Sequence, residues 1–483
     1  MGERDEATLF RPDFNRAVRV QASSSVVTGD AGALVLREVA DRLGYSEAFA
    51  RVLDHRAQHL VTHPLVELVM TRVLLLAQGW QDQDDADLLR HDPAFRLAVS
   101  TRRGTAPLEE AETLRTPDRL ASQPTLSRMQ SMLGSALNRR QLADALADRA
   151  CARNLAVHGF RDEVTFDIDS YAIEAHGSQV GAAYNGHYRT TCFHPLVAYT
   201  DTGDILGVHI RPGNVHTADD VRSFLTPLLP HVRTLGRKVW LRMDCGYANG
   251  KLLTWLDERA VTFITRLRTN PVLQREASAW SERTLDAWRK APSADGKPRE
   301  ATYELWYRPK TWTRVVRVVA VLVERDHAHG ELFHHLFFLA SNAARPAATS
   351  ADLLARYRQR GEAEQRIGEF LRDVAPTVSS VARSREGSVA RKRPTGAAEN
   401  EISLLLARFA YNLLHALRCS LDPAFDERLS TRRLRERLLR AAATVTRHAR
   451  QVTVRINPAH VPLWSVGQRY LPTLVARSEG TAA

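Results

Sequence analysis

Side chains alternate along a strand, so in Val164 to Asp169 the apolar Val164, Phe166 and Ile168 face one way while Thr165, Asp167 and Asp169 face the other. Two carboxylates therefore share one face at a strand end. In the later run KVWLRMD, Val239, Leu241 and Met243 form the apolar face, and Asp244 follows where the strand meets Cys245-Gly246. That position is the carboxyl edge of a sheet, where open α/β folds build their sites. A third group lies in YRQRGEAEQRIGEFLRD, whose helical spacing puts Tyr357, Arg360 and Glu364 along one stripe.

Carboxylates from separate elements suit magnesium, which takes hard oxygen ligands and keeps some water. Two such ions about 3.5–4 Å apart clamp the attacking and leaving oxygens of an in-line phosphoryl displacement. Spacing alone is equally consistent with plainer roles. Glu362, Glu364 and Glu369 fit a solvated helix face with Arg360 as an i,i+4 partner, Asp167 fits an orienting role, and Asp244 fits a turn start. His187, His194 and His216 have no standard zinc spacing, and strand or capping roles suit them better. Ser170 has no adjacent base, which disfavours covalent catalysis.

The elements that must position these groups follow from periodicity. Residues 1 to about 155 read as mostly helical, as in ALVLREVADRL and PLVELVMTRVLLLAQG. LASQPTLSRMQSML reads as an amphipathic helix capped at Thr125, with a helix-turn-helix as the other interpretation. From residue 163 the expected succession is strand, strand, strand, helix, strand, helix, strand, with a hairpin turn at Asp201-Thr202-Gly203-Asp204. Residues 275–345 break the rhythm with a polar segment and then TYELWYRP, TRVVRVVAVLVER and ELFHHLFFLAS, read as a β-rich insertion. Helices resume at Ser350, with a basic loop, SREGSVARKRPTG, between the acidic helix and ISLLLARFAYNLLHALRC.

With 483 residues and 44% hydrophobic content the chain can bury more than one core, which excludes wholesale disorder. A net charge of +12 points to an acidic partner such as a phosphate backbone. The four cysteines stand singly, without zinc spacing, and fit a reduced compartment. No apolar stretch is long enough to span a bilayer, and MGERDEATLF has no signal core, so a cytoplasmic, nucleoid-associated location is expected.

The motifs TFDIDS, HGSQVGAAYNGHY, FHPLVAYTDTGDILGVHIRPGNVHTAD, LRMDCGYANGKLL, FITRLRTNPVL, YRQRGEAEQRIGEFLRD and LLLARFAYNLLHALR follow one another over roughly 160–420. In that order they resemble the DDE-domain transposases of group 1, the insertion-sequence 1380 family. The resemblance implies an α/β, RNase H-like catalytic core with a β-rich insertion, a mostly helical N-terminal domain and a helical C-terminal region. It implies Asp169, Asp244 and Glu364 as catalytic residues and ligands of two Mg2+ or Mn2+ ions. Asp169 is preferred to Asp167 because Ser170 fits the small or hydroxyl residue that follows the family's first aspartate.

The same helix is similar to a Tyr-Arg-Glu-Lys signature, in which Tyr357 and Arg360 would hold DNA phosphates. Leu371 stands at the lysine position, and its neighbour Arg372 projects about 100° away around the helix. Trp306 and Trp312 are candidates to stack on an unpaired base, and Arg391, Lys392 and Arg393 are candidate phosphate contacts. The implied layout is a DNA-binding and dimerisation region over 1–155, the core over 156–274 and 346–420, the insertion over 275–345, and a basic C-terminal region over 421–483. The expected partners are double-stranded DNA, as inverted-repeat ends and target, and a second copy of the chain. The expected activity is metal-dependent strand cleavage and strand transfer. A nuclease that does not join strands and a non-catalytic DNA-binding descendant remain as alternatives.

Overall fold

Helix formation near the N-terminus follows the apolar runs. Leu65–Gln78 (α1) starts after Pro64 and stops at Gly79, whose left-handed backbone (φ 90°) ends the helix. Ala136–His158 (α2) is capped by the Ser135 hydroxyl, which accepts the Asn138 N–H. The computed structural model describes residues 8–49, 52–110, 118–177, 179–291, 298–309, 312–325, 333–378, 396–425 and 429–471. The helix over Gln123–Leu133 begins after Ser122, so Thr125 lies inside it rather than capping it.

The sheet begins with Arg161–Ser170 (β1), buried on both faces from Val164 to Ile168. Leu196–Thr200 (β2) and Ile205–His209 (β3) form the expected hairpin. At its turn Gly203 has φ 105°, and a Cβ there would lie 2.7 Å from His415, so glycine is required twice over. Val221–Arg233 (α3), Gly236–Met243 (β4), Gly250–Asp257 (α4) and Val261–Leu267 (β5) complete the expected succession. Between β1 and β2 a small three-stranded sheet (Ile173–Glu174, Ala183–Asn185, Thr190–Phe193) carries His187 and Tyr188 at its tip.

Residues 275–345 differ from the β-rich insertion expected of them. They begin inside a helix, Pro271–Lys290 (α5), started by Asn270, whose side chain accepts the N–H groups of Val272 and Leu273. The three strands that follow, Glu300–Tyr307 (β6), Val316–Val323 (β7) and His335–Ser341 (β8), extend the same sheet instead of forming a separate body. The eight strands lie in the order β6-β7-β8-β5-β4-β1-β2-β3. The trio β5-β4-β1 is parallel, and the outer strands are antiparallel.

Two helices then cross the sheet, Ser350–Arg358 (α6) and Arg360–Glu369 (α7), before the long Gly396–Leu421 (α8). α8 packs against α1, α2 and β3, so the N-terminal helices share one apolar core with the C-terminal part. The C-terminal region is not helical throughout. Ala443–His448 and Gln451–Ile456 form a hairpin that adds to Val27–Thr28 near the start of the chain. Among the described residues no helix is long and apolar enough to cross a membrane.

One buried ion pair ties the sheet to the helices over it. Arg242 on β4 donates to both carboxylate oxygens of Asp167 on β1, at 2.7 Å each. It also donates to the Arg356 carbonyl at 2.9 Å and to Gln359 Oε1 at 3.2 Å, which pins the α6–α7 junction. Arg356 lies over the Trp240 ring at 4.1 Å. Replacing Asp167 by Ala strands a buried guanidinium and should lower the unfolding free energy by about 3–5 kcal/mol in chemical denaturation. A loss under about 1 kcal/mol would mean that the pair does not bind the layers together.

Candidate active site

Because Asp167 and Arg242 are register partners on parallel neighbours, Asp169 and Asp244 follow two residues further on at the same end of these strands, Asp169 still paired with β2. Local bonds aim both. Asp169 Oδ1 accepts the Ser170 N–H at 2.8 Å. Asp244 caps a single turn over Cys245–Tyr247, its Oδ1 accepting the Gly246 N–H at 2.8 Å, while its carbonyl accepts the Thr265 hydroxyl at 2.7 Å.

Helix α6 opens with a reciprocal cap between Thr349 and Asp352, and its continuation α7 brings Arg360 and Glu364 over the strand ends. Arg360 bridges two acids: Nη2 donates to Asp169 Oδ2 and Nη1 to Glu364 Oε1, both at 2.5 Å. The charges register one another. Burial lifts the Asp169 carboxyl to about 6, Arg360 and the Ser170 N–H oppose the rise, and Asp244 and Glu364 add to it. Burial weakens the Arg360 cation, but Asp169, Asp244, Tyr357 and Glu364 more than offset this and hold it above its ordinary value. Three acids from a strand end, a turn and a helix thus surround one guanidinium.

This donor set fits a hard divalent cation in its chemistry. It consists of carboxylate oxygens, and their mutual repulsion at Asp169 is what such a cation would relieve. The spacing is closed around Arg360 instead of an ion: among the described residues no three acidic, histidine or cysteine side chains are set as a metal-binding group. Asp167 stands apart from the set, with both its oxygens bonded to the buried Arg242 inside the sheet.

The other expected residues divide. Tyr357 is half-buried, packs against the apolar cluster around Trp240 and Ile264, and lies within the electrostatic reach of Arg360, Arg266 and Asp244. Arg372 turns instead to Asp373, at 3.1 Å, and Leu371 packs against the large apolar core. Trp306 is 63% exposed on β6. Trp312 packs against α4 so closely that a Cβ on Gly250 would lie 2.4 Å from its ring. Arg391, Lys392 and Arg393 lie outside the described residues. His216 serves its own turn, its Nδ1 accepting the Ala218 N–H at 3.1 Å.

A cleft of about 300 Å3 beside Asp244 was not foreseen; it is lined in part by His216, Cys245, Arg268, Asn270, Tyr307 and Trp312. The Asn270-Pro271 pair was its one local signal, as the start of α5. A larger cleft of about 400 Å3, between Trp306 and Trp312, adjoins it through Trp312.

The raised Asp169 carboxyl yields a signed prediction. A group held at about 6 in the fold, against about 4 in an unfolded chain, destabilises the fold where it is ionised and ceases to do so as pH falls through that window. In metal-free buffer, Asp169→Asn should therefore melt above the wild type at pH 8, by about 1–3 kcal/mol, and converge with it near pH 4. A variant less stable than wild type at pH 8 would contradict this account.

Comparison with known proteins adds to the geometry. One solved structure, described as a piggyBac transposase synaptic complex with hairpin DNA, matches with 11% identity over 86% of this chain and 82% of that one. Its TM-score of 0.39 makes the likeness too distant to bear on fold or function. No curated protein matches the chain. The family model for the transposase DDE domain, group 1, matches residues 10–474, nearly the whole length, and the chain therefore belongs to that family of transposases.

Proposed function

We propose that this transposase cleaves and joins DNA strands at the ends of an insertion sequence, with Asp169, Asp244 and Glu364 as the catalytic residues holding two divalent cations, Mg2+ or Mn2+. The observation that carries the proposal is the meeting of carboxylates from β1, the turn after β4 and helix α7 about one buried guanidinium. Clusters of like charge with a perturbed carboxyl are costly, and such costs concentrate at functional sites. The strand order supports an RNase H-like core: the first aspartate ends the opening strand of the sheet, the second follows its fourth strand, and the glutamate lies on a helix after the remaining strands.

When bound, the cations would stabilise charge on the attacking and leaving oxygens of an in-line displacement at phosphorus. The chain itself supplies alignment. Backbone N–H groups hold one oxygen each of Asp169 and Asp244, so these two acids are preorganised, while Glu364, with its side chain 62% exposed, is held from the helix side by Arg360. Tyr357 and Arg360 are placed to meet phosphate oxygens next to the acids. Trp306, solvent-facing at the mouth of the 400 Å3 cleft, offers a stacking surface, with Trp312 as its inner wall. The helices of 1–155 and the basic segments, Arg391, Lys392 and Arg393 among them, would bind the duplex, and a homodimer would pair two ends.

The test is cleavage and strand transfer on the inverted repeats that flank the coding region. Alanine at Asp169, Asp244 or Glu364 should lower Mg2+-dependent cleavage by on the order of 1,000-fold while leaving duplex binding within about threefold. Full cleavage by Asp244→Ala would remove the assignment, and cleavage by the wild type without joining of a pre-nicked end would reduce the enzyme to a nuclease.

A further inference from the structure

The oxygen inventory of the site points to a coupling between its two ligands. Asp169 has both oxygens engaged, one by the Ser170 N–H and one by Arg360, and Glu364 gives an oxygen to the same guanidinium. Arg360 is buried and held at both terminal nitrogens. Divalent cations held by Asp169 and Glu364 would compete with this guanidinium for the same carboxylates, and the like charges could not share them without steep repulsion. Arg360 must leave for the acids to be loaded. A guanidinium that leaves two carboxylates needs another anion, and its planar fork matches a phosphate.

We propose that Arg360 is an internal counter-ion that keeps the carboxylates closed in the free chain and releases them to divalent cations only when a DNA phosphate takes the guanidinium. This rests on the metal-site reading of Asp169, Asp244 and Glu364 given above. Its thermodynamic consequence is reciprocal: phosphate and metal each raise the affinity for the other, because each favours the arrangement in which Arg360 has moved. The site is thereby loaded on substrate and stays closed away from it. Arg360 acts here as a positioning residue, whose contact with a DNA phosphate also frees the acids.

The experiment is equilibrium Mn2+ binding to the full chain, read from the free-ion electron paramagnetic resonance signal, with and without a short mixed-sequence duplex. Without duplex, Arg360→Gln should bind Mn2+ at least about tenfold more tightly than wild type, whereas Arg360→Lys, which keeps the charge, should stay within about threefold. Adding duplex should tighten Mn2+ binding to wild type by about tenfold or more and leave Arg360→Gln within about threefold of its own value. Equal Mn2+ affinity in wild type with and without duplex overturns the proposal and needs no variant that must fold. So does an Arg360→Gln protein that binds no tighter than wild type, or one that duplex tightens as much. Asp169→Asn separates the two levels. If it loses the ion while Arg360→Gln matches wild type, the carboxylate site stands and the counter-ion role falls. If wild type with duplex holds no Mn2+, both fall.

Discussion

Three carboxylates at one edge of a sheet repel one another, and the structure around them is organised to tolerate that repulsion. Arg360 stands among them as the cation, bonded to Asp169 and Glu364 and felt by Asp244. It can do so because a second buried arginine holds the layers in register. Arg242 clamps Asp167 on the neighbouring strand and, through the Arg356 carbonyl and Gln359, fixes the junction from which α7 and Arg360 begin. The pair Asp167–Arg242 is a structural device, and two residues further on stand Asp169, near the end of β1, and Asp244, just after β4.

This arrangement follows from sheet topology. Parallel β1 and β4 bring Asp169 and Asp244 out at one level, and Thr265 on β5 secures the Asp244 backbone from the other side. Helix α7 then closes the site from above with the one acid that is mostly solvent-facing, Glu364. The cost appears at Asp169, whose carboxyl burial and like-charged neighbours push upward.

Much of this was legible along the chain because it is local. Alternation in Val164 to Asp169 showed that Thr165, Asp167 and Asp169 share a face, and helical spacing showed that Arg360 and Glu364 share a stripe. What separates Asp167 from Asp169 is the residue opposite Asp167, Arg242, which no local pattern displays. Helix α5 was missed because its buried face is narrow, with only Leu273 and Ala277 buried, so its composition reads as a polar connection. Strands β6 to β8 read correctly as strands but not as part of the main sheet, since the β8–β5 pairing joins residues far apart in sequence. The C-terminal hairpin is itself local, but its pairing with Val27–Thr28, which completes the small sheet, joins the two ends of the chain and is equally invisible. The bond between Arg360 and Asp169 spans 191 residues and is likewise invisible in any window of sequence.

The central claim is that these three acids are where divalent cations bind. A crystal of the protein with bound duplex DNA, grown in Mn2+ and measured for anomalous scattering, tests it most directly. The account predicts strong anomalous peaks coordinated by Asp169, Asp244 and Glu364, with the Arg360 guanidinium turned to a phosphate. Peaks held by other residues, with Arg360 still bridging Asp169 and Glu364, would contradict it.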